Sequence, residues 1–155
     1  MQGVASAAGC QLVSACDLAI ASEDATFCTP GVNIGAFCTT PLVGIGRNLS
    51  RKHALEMALT GDQFDAATAE RFGLINRSVP ASKLVQATEE LANKIASRSA
   101  ESIARGKSAF YQQLEMPLDK AFELANQVMR DNLTSEGDAK EGIGAFLEKR
   151  DPEWG

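Results

Sequence analysis

Seven residues near the start of the chain, Gly3-Val4-Ala5-Ser6-Ala7-Ala8-Gly9, carry almost no side-chain bulk, and they run directly into Cys10-Gln11-Leu12 and on to Cys16-Asp17-Leu18-Ala19-Ile20-Ala21. A run of this kind permits a tight turn and a close approach of backbone to a ligand. Periodicity then places a short helix from Ala7 to Cys16, with Ala8, Leu12 and Cys16 on one face. The free N–H groups opening that helix make a ready site for an oxyanion or a carbonyl oxygen. Asp17 ends the helix, and Leu18 to Ala21 reads as a buried strand. Turn, helix and buried strand inside twenty residues point to an α/β fold.

The same alternation continues. Thr26 to Thr29 reads as a second short strand, stopped by Pro30-Gly31, and the glycines at 35, 44 and 46 suggest a loop leading into a helix from about Pro41 to Leu49. Lys52 to Thr60 is a helix with Gly61 placed to cap its C-terminus, Asp65 can cap a helix over Ala66 to Phe72 that ends at Gly73, and Leu74 to Val79 is a strand closed by Pro80. Beyond Pro80 only helical spacing remains. Leu84, Ala87, Leu91 and Ile95 form one apolar face, and Ile103, Phe110 and Leu114 a sparser one. Pro117 opens a third helix carrying Leu118, Ala121, Phe122, Ala125, Val128 and Met129. Ser135 and Asp138 form an S-x-x-D capping box for a last helix whose face is Ala139, Ile143, Phe146 and Leu147. The composition changes near Ser97 to Ser99, which divides the chain into a mixed α/β region, 1–98, and an all-α region, 99–155.

With 155 residues, 45% of them hydrophobic and 23% charged, the chain can bury a real core. A formal charge of −5 argues against nucleic acid or an anionic membrane as partner, because both select clustered Lys and Arg. Four cysteines, Cys10, Cys16, Cys28 and Cys38, lack C-x-x-C spacing and share the chain with one histidine. They read as small buried apolar residues, with neither a metal site nor a disulfide framework implied. No apolar run reaches the ~20 residues a membrane helix needs. Met1-Gln2-Gly3 enters the small-residue run with no cationic, apolar or Arg/Ser-rich leader before it.

Three stretches together resemble the enoyl-CoA hydratase/isomerase (crotonase) family: the small-residue run through Asp17; Leu-Thr-Gly (59 to 61) followed by Gly-Leu-Ile-Asn and Val-Pro (73 to 80); and Glu141-Gly142-Ile143-Gly144-Ala145-Phe146-Leu147-Glu148-Lys149-Arg150. The resemblance implies that the chain supplies the later turns of a crotonase-type β-β-α spiral, followed by a helical trimerisation region that makes a homo-oligomer, a trimer or a dimer of trimers. It implies exposed apolar surface where earlier strands would pack. It also implies a coenzyme A thioester as ligand, with no separate cofactor, bound through the backbone N–H of Ala8 in an oxyanion hole. Ala7, Gly9, Pro30, Gly35 and Cys38 would lie against the substrate. The second oxyanion donor and most of the adenine pocket belong, in the family, to an N-terminal half outside this chain. Ala7-Ala8 replaces the family's frequent Gly-Gly, which is tolerable if the helix entry keeps ordinary dihedrals.

The family's hydratases add water across a double bond with two glutamates, one acid and one base. By position these are Gln11 and Gly31 here, and neither can exchange a proton near neutral pH. The family's dienoyl isomerases use an acid where this chain has Thr39. Asp17 could stand in only by departing from a structural role. Cys38 is the one cysteine placed near the acyl group, where a packed thiol is the better reading. His53, beside Lys52 and Glu56, reads as a surface residue, and Lys107, Lys149 and Arg150 could meet CoA phosphates or a neighbouring subunit. Within the family the pattern is most similar to a branch that lacks both glutamates and is associated with mitochondrial fatty-acid metabolism, which implies a matrix location for the full-length protein. The expected function is therefore acyl-CoA binding without efficient hydratase chemistry. The alternatives are an acyl-CoA enzyme using another acid/base, or a fragment with a structural, oligomerising role.

Overall fold

The small-residue run opens as a strand before it turns. A computed structural model describes residues 1–134 and 136–155, and in it β1 (Val4–Ser6) alternates, with Ala5 buried between outward-facing Val4 and Ser6. β1 pairs in parallel with β3 (Thr26–Cys28), in the register Val4↔Thr26, Ala5↔Phe27, Ser6↔Cys28. β3 pairs antiparallel with β4 (Phe64–Asp65). A second parallel pair joins β2 (Ile20–Ser22) to β5 (Arg77–Val79). The strand expected from Leu74 is thus shorter. Leu74 and Ile75 are buried bends, and Asn76 takes over the pairing: its N–H donates to Ala19 O and its Oδ1 accepts from Ala19 N–H.

Helix α1 (Ala8–Ala15) links β1 to β2, and a 3-10 turn at Pro30–Ile34 leads from β3 to α2 (Thr39–Asn48), which starts two residues earlier than expected. α3 (Arg51–Thr60) ends at Gly61 with φ 67°. α4 (Ala66–Phe72) is capped by Asp65, whose carboxylate accepts Thr68 N–H at 2.7 Å, and ends at Gly73 with φ 90°. Phe27, Ile45 and Met57 are fully buried and centre a core that also holds Cys10, Leu49, Ala54, Ala66, Ala69, Leu74 and Ile75.

α1 does not bury the face expected of it. Cys10 and Ser14 point inward, whereas Ala8, Leu12 and Cys16 are exposed, Leu12 to 70%. The reason is the closeness of α2. Gly44 lies against Ser14, where a methyl group would run into Ser14 Oγ, and Asn48 Nδ2 donates to both Ser14 O and Gly44 O at 2.9 Å. Only small residues fit such a crossing, so bulk is pushed to the outer face. The thiols divide too: Cys10 and Cys28 are buried, Cys38 is half-buried and Cys16 is exposed.

The chain forms two compact units, Met1–Glu90 and Leu91–Gly155, which part inside α5 (Leu84–Ala96) and not at the composition change between Ser97 and Ser99. The second unit holds α6 (Ala100–Gln113), α7 (Leu118–Thr134) and α8 (Asp138–Glu148). Buried Ser99 caps α6 by accepting Ser102 N–H at 2.9 Å. Ser135 of the expected capping box lies outside the described residues. Asp138 opens α8, and its N–H is taken instead by Glu101 Oε2. α8 buries Asp138 and Ala145, while Phe146 and Leu147 of the expected face are 81% and 74% exposed. After Lys149 the tail folds back. Arg150 forks Glu141 at 2.6 and 2.9 Å, and Trp154 lies against Gly142 with its indole N–H on Ser97 O at 3.0 Å. That fork holds the Glu141 carboxyl well below the usual carboxylate range, at a pKa of about 2. Among the described residues no helix is long and apolar enough to cross a membrane.

Gly44→Ala should destabilise the chain by about 1–3 kcal/mol through overpacking. Ser14→Ala in the same chain should recover most of that loss, as measured by denaturant unfolding. Equal costs in both backgrounds would show that the α1–α2 crossing is not set by this contact.

Candidate functional site

Parallel pairing puts the carboxyl ends of β1 and β3 side by side, and the two segments leaving them build the site. From β1 the chain turns at Ala7 into α1; from β3 it passes through Thr29 into the Pro30–Ile34 turn. Carboxyl ends of parallel strands are where α/β folds gather ligand-binding backbone, because helix N-termini follow there.

The turn into α1 is strained. Ala7 sits at φ 45°, ψ −104°, a conformation that costs an L residue about 1–3 kcal/mol. The helix entry therefore does not keep the ordinary dihedrals that would make alanine an easy replacement for glycine. Two hydrogen bonds hold it: Ala7 N–H donates to Cys28 O at 2.9 Å, and Ala7 O accepts Gln11 N–H at 3.0 Å. The first fastens the elbow to the end of β3. Ala8 follows as the first residue of α1, exposed, and among the described residues no acceptor takes its N–H. Gly9 lies over β1, where a methyl group would make an ordinary contact with Ala5 Cβ at 3.6 Å.

On the β3 side, Thr29 is fully buried and its hydroxyl donates to Met57 O at 2.8 Å, which anchors the 3-10 turn to α3. In the sequence this residue carried no signal beyond ending the expected strand before a proline; the strand itself stops at Cys28. Pro30 starts the turn and Gly35 ends it at φ 74°. Cys38 is the residue before α2 and lies against Gly31. Behind both segments Cys10 donates its thiol to Ala5 O at 2.9 Å, with Cys28 O at 3.4 Å. Burial pushes its pKa up to about 11, partly offset by the backbone hydrogen bond at Cys28, so it stays a protonated, unreactive thiol at neutral pH.

Thus Ala7, Ala8, Gly9, Pro30, Gly31, Gly35 and Cys38 all belong to the two segments leaving β1 and β3, and Gln11 lies exposed on the first full turn of α1. No acid accompanies them: residues 25–55 contain neither Asp nor Glu, and α1 contains none. Asp17 is elsewhere. It follows the far end of α1, an eight-residue helix about 12 Å long, and lines a separate polar cavity of about 220 Å³ with Asn48 and Asn76. Thr39 opens α2. His53 stacks on Phe72, ring centroids 3.8 Å apart and planes 6° from parallel, in a packing role. Arg150 pairs with Glu141 and Glu148. Among the described residues no three metal-binding side chains converge.

Comparison with known proteins adds to this geometry. The family model for enoyl-CoA hydratase/isomerase matches residues 1–155. Enoyl-CoA hydratase domain-containing protein 3, mitochondrial, of Rattus norvegicus is 51% identical over 154 residues, covering 99% of this chain and 51% of the relative; the Homo sapiens protein of that name is 48% identical. The chain spans about half the length of these relatives. Among solved structures, an enoyl-CoA hydratase of Mycobacterium smegmatis superposes with a TM-score of 0.96 at 44% identity, over 99% of this chain and 60% of that one. Human enoyl-CoA hydratase domain-containing protein 3 superposes at 0.94 with 49% identity, over 98% and 60%.

Replacing Ala7 by glycine removes the dihedral strain and costs roughly 0.5–1 kcal/mol of chain entropy. Ala7→Gly should therefore raise the unfolding midpoint by about 2–4 °C. A lowered midpoint would mean that the elbow is not strained.

Proposed function

This chain belongs to the enoyl-CoA hydratase/isomerase family, and on that footing we propose that it binds acyl-CoA thioesters without efficient hydratase chemistry. One observation carries the reading: an Ala8 N–H with no acceptor in the described chain opens α1 at the carboxyl edge of β1 and β3, and no carboxylate stands on either segment. A thioester oxygen accepting that N–H would be polarised, as an oxyanion site requires. Hydration needs in addition a proton donor and a base for water, each worth roughly 10²–10⁴-fold. Gln11 has an amide that can orient water but cannot act as an acid or base near neutral pH, and Gly31 offers no side chain.

The exposed apolar residues of the second unit support assembly into a homo-oligomer, a trimer or a dimer of trimers. Phe122 is 61% exposed, and Phe110, Phe146 and Leu147 are exposed with it. The mitochondrial names of the relatives support a mitochondrial setting for the full-length protein, and a matrix location with a part in fatty-acid metabolism is proposed with it on the family resemblance alone.

Two tests address the ligand and the chemistry. Butyryl-CoA should raise the unfolding midpoint more than the butyl-CoA thioether, which lacks the carbonyl oxygen. One net hydrogen bond of about 1–1.5 kcal/mol corresponds to roughly tenfold in affinity. Equal responses to the two would remove the oxyanion reading. Crotonyl-CoA hydration should stay near background, and turnover matching a working hydratase would end the proposal of a non-hydrating protein. For assembly, sedimentation velocity should give a species larger than one chain; a monomer at assay concentrations would count against the oligomer.

A further inference from the structure

The position that lacks the second acid is also short of room for any side chain. A methyl group on Gly31 would stand 3.0 Å from Cys38 Sγ, 3.2 Å from the Cys38 backbone nitrogen and 3.3 Å from Ala36 O. Ordinary contacts between such atoms lie near 3.5–4.0 Å. Two of the three crowding atoms are backbone, and the backbone there is fastened. Ala36 N–H donates to Gly31 O at 2.9 Å, Thr39 N–H to Phe37 O at 2.8 Å, and Leu42 N–H to Cys38 O at 3.2 Å. Gly35 closes the loop in the left-handed region, where glycine alone is comfortable. The Cys38 thiol is the one crowding atom that can turn away. It is half-buried and lies against Gly31, so turning away means leaving that contact.

We infer that Gly31 and Cys38 are a matched pair that determines which chemistry this site can host. The loop from Gly35 to Cys38 is folded onto the place where a residue-31 side chain would emerge, and a carboxylate there requires Cys38 to shrink as well. The absence of an acid at 31 is then a property of the loop, and a single substitution at 31 cannot reverse it. This inference rests on the acyl-CoA reading only for its meaning, because the packing is tested without ligand.

The test is a double-mutant cycle on the whole chain, read by thermal unfolding with no CoA compound present. Gly31→Ala alone should lower the midpoint by about 2–4 °C. In the Cys38→Ala background the same substitution should cost less, the remainder being the share owed to the Cys38 nitrogen and Ala36 oxygen, which stay in place. Gly31→Glu should cost more than Gly31→Ala alone and should gain more from Cys38→Ala. If Gly31→Glu does not fold, the alanine cycle decides by itself. Additive effects, with Gly31→Ala costing the same in both backgrounds, overturn the pair, as does a Gly31→Ala chain as stable as the parent. Failure of the cycle leaves the response to butyryl-CoA untouched, and failure of that response leaves the cycle untouched.

Discussion

The hydrogen bond from Ala7 N–H to Cys28 O is the join on which the arrangement turns. It extends the parallel ladder of β1 and β3 by one residue past the strand and into the elbow, so the entry to α1 and the exit from β3 are set together. A parallel pair with even, slanted bonds leaves both carboxyl ends at the same level. Consequently the free N–H groups of α1 and the Pro30–Ile34 turn open side by side. Strain at Ala7 persists because the ladder on one side and the Gln11 N–H bond on the other over-determine it.

That join also explains why small residues dominate the region. β1 is covered by α1, α1 is crossed closely by α2, and the thiol of Cys10 sits between strand carbonyls. Each layer is thin because Ala5, Gly9, Ser14 and Gly44 have little to keep the backbones apart. The same economy leaves Leu12 on the outside.

How much of this could be read from residues alone depended on whether the cause was local. Asp65 as an N-cap and Gly61 and Gly73 as left-handed C-caps were legible, because a capping carboxylate or a positive φ is decided within one turn of helix. The pairing of small-residue run with helix start was legible for the same reason. β1 was not: Val-Ala-Ser has no strand signal of its own and becomes a strand through pairing with β3. The buried face of α1 was misplaced because helical periodicity favours the bulkiest stripe, whereas the Gly44–Ser14 contact selects the smallest, and that of α8 was misplaced too, since Asp138 and Ala145 are its buried residues. Of the site, membership of Ala7, Ala8, Pro30, Gly31 and Cys38 could be listed, but the strain at Ala7 and the crowding of Gly31 depend on segments folded against one another.

The folded-back tail places the chain's only tryptophan, Trp154, against Gly142 and Ser97, and its only tyrosine, Tyr111, lies on α6. Both ultraviolet chromophores thus belong to the helical unit, while the unit carrying the candidate site has only phenylalanine. Intrinsic fluorescence of this protein is therefore a monitor of one unit, blind to melting confined to the other. Far-ultraviolet circular dichroism sees both, so the two signals divide the molecule along the boundary its own packing draws.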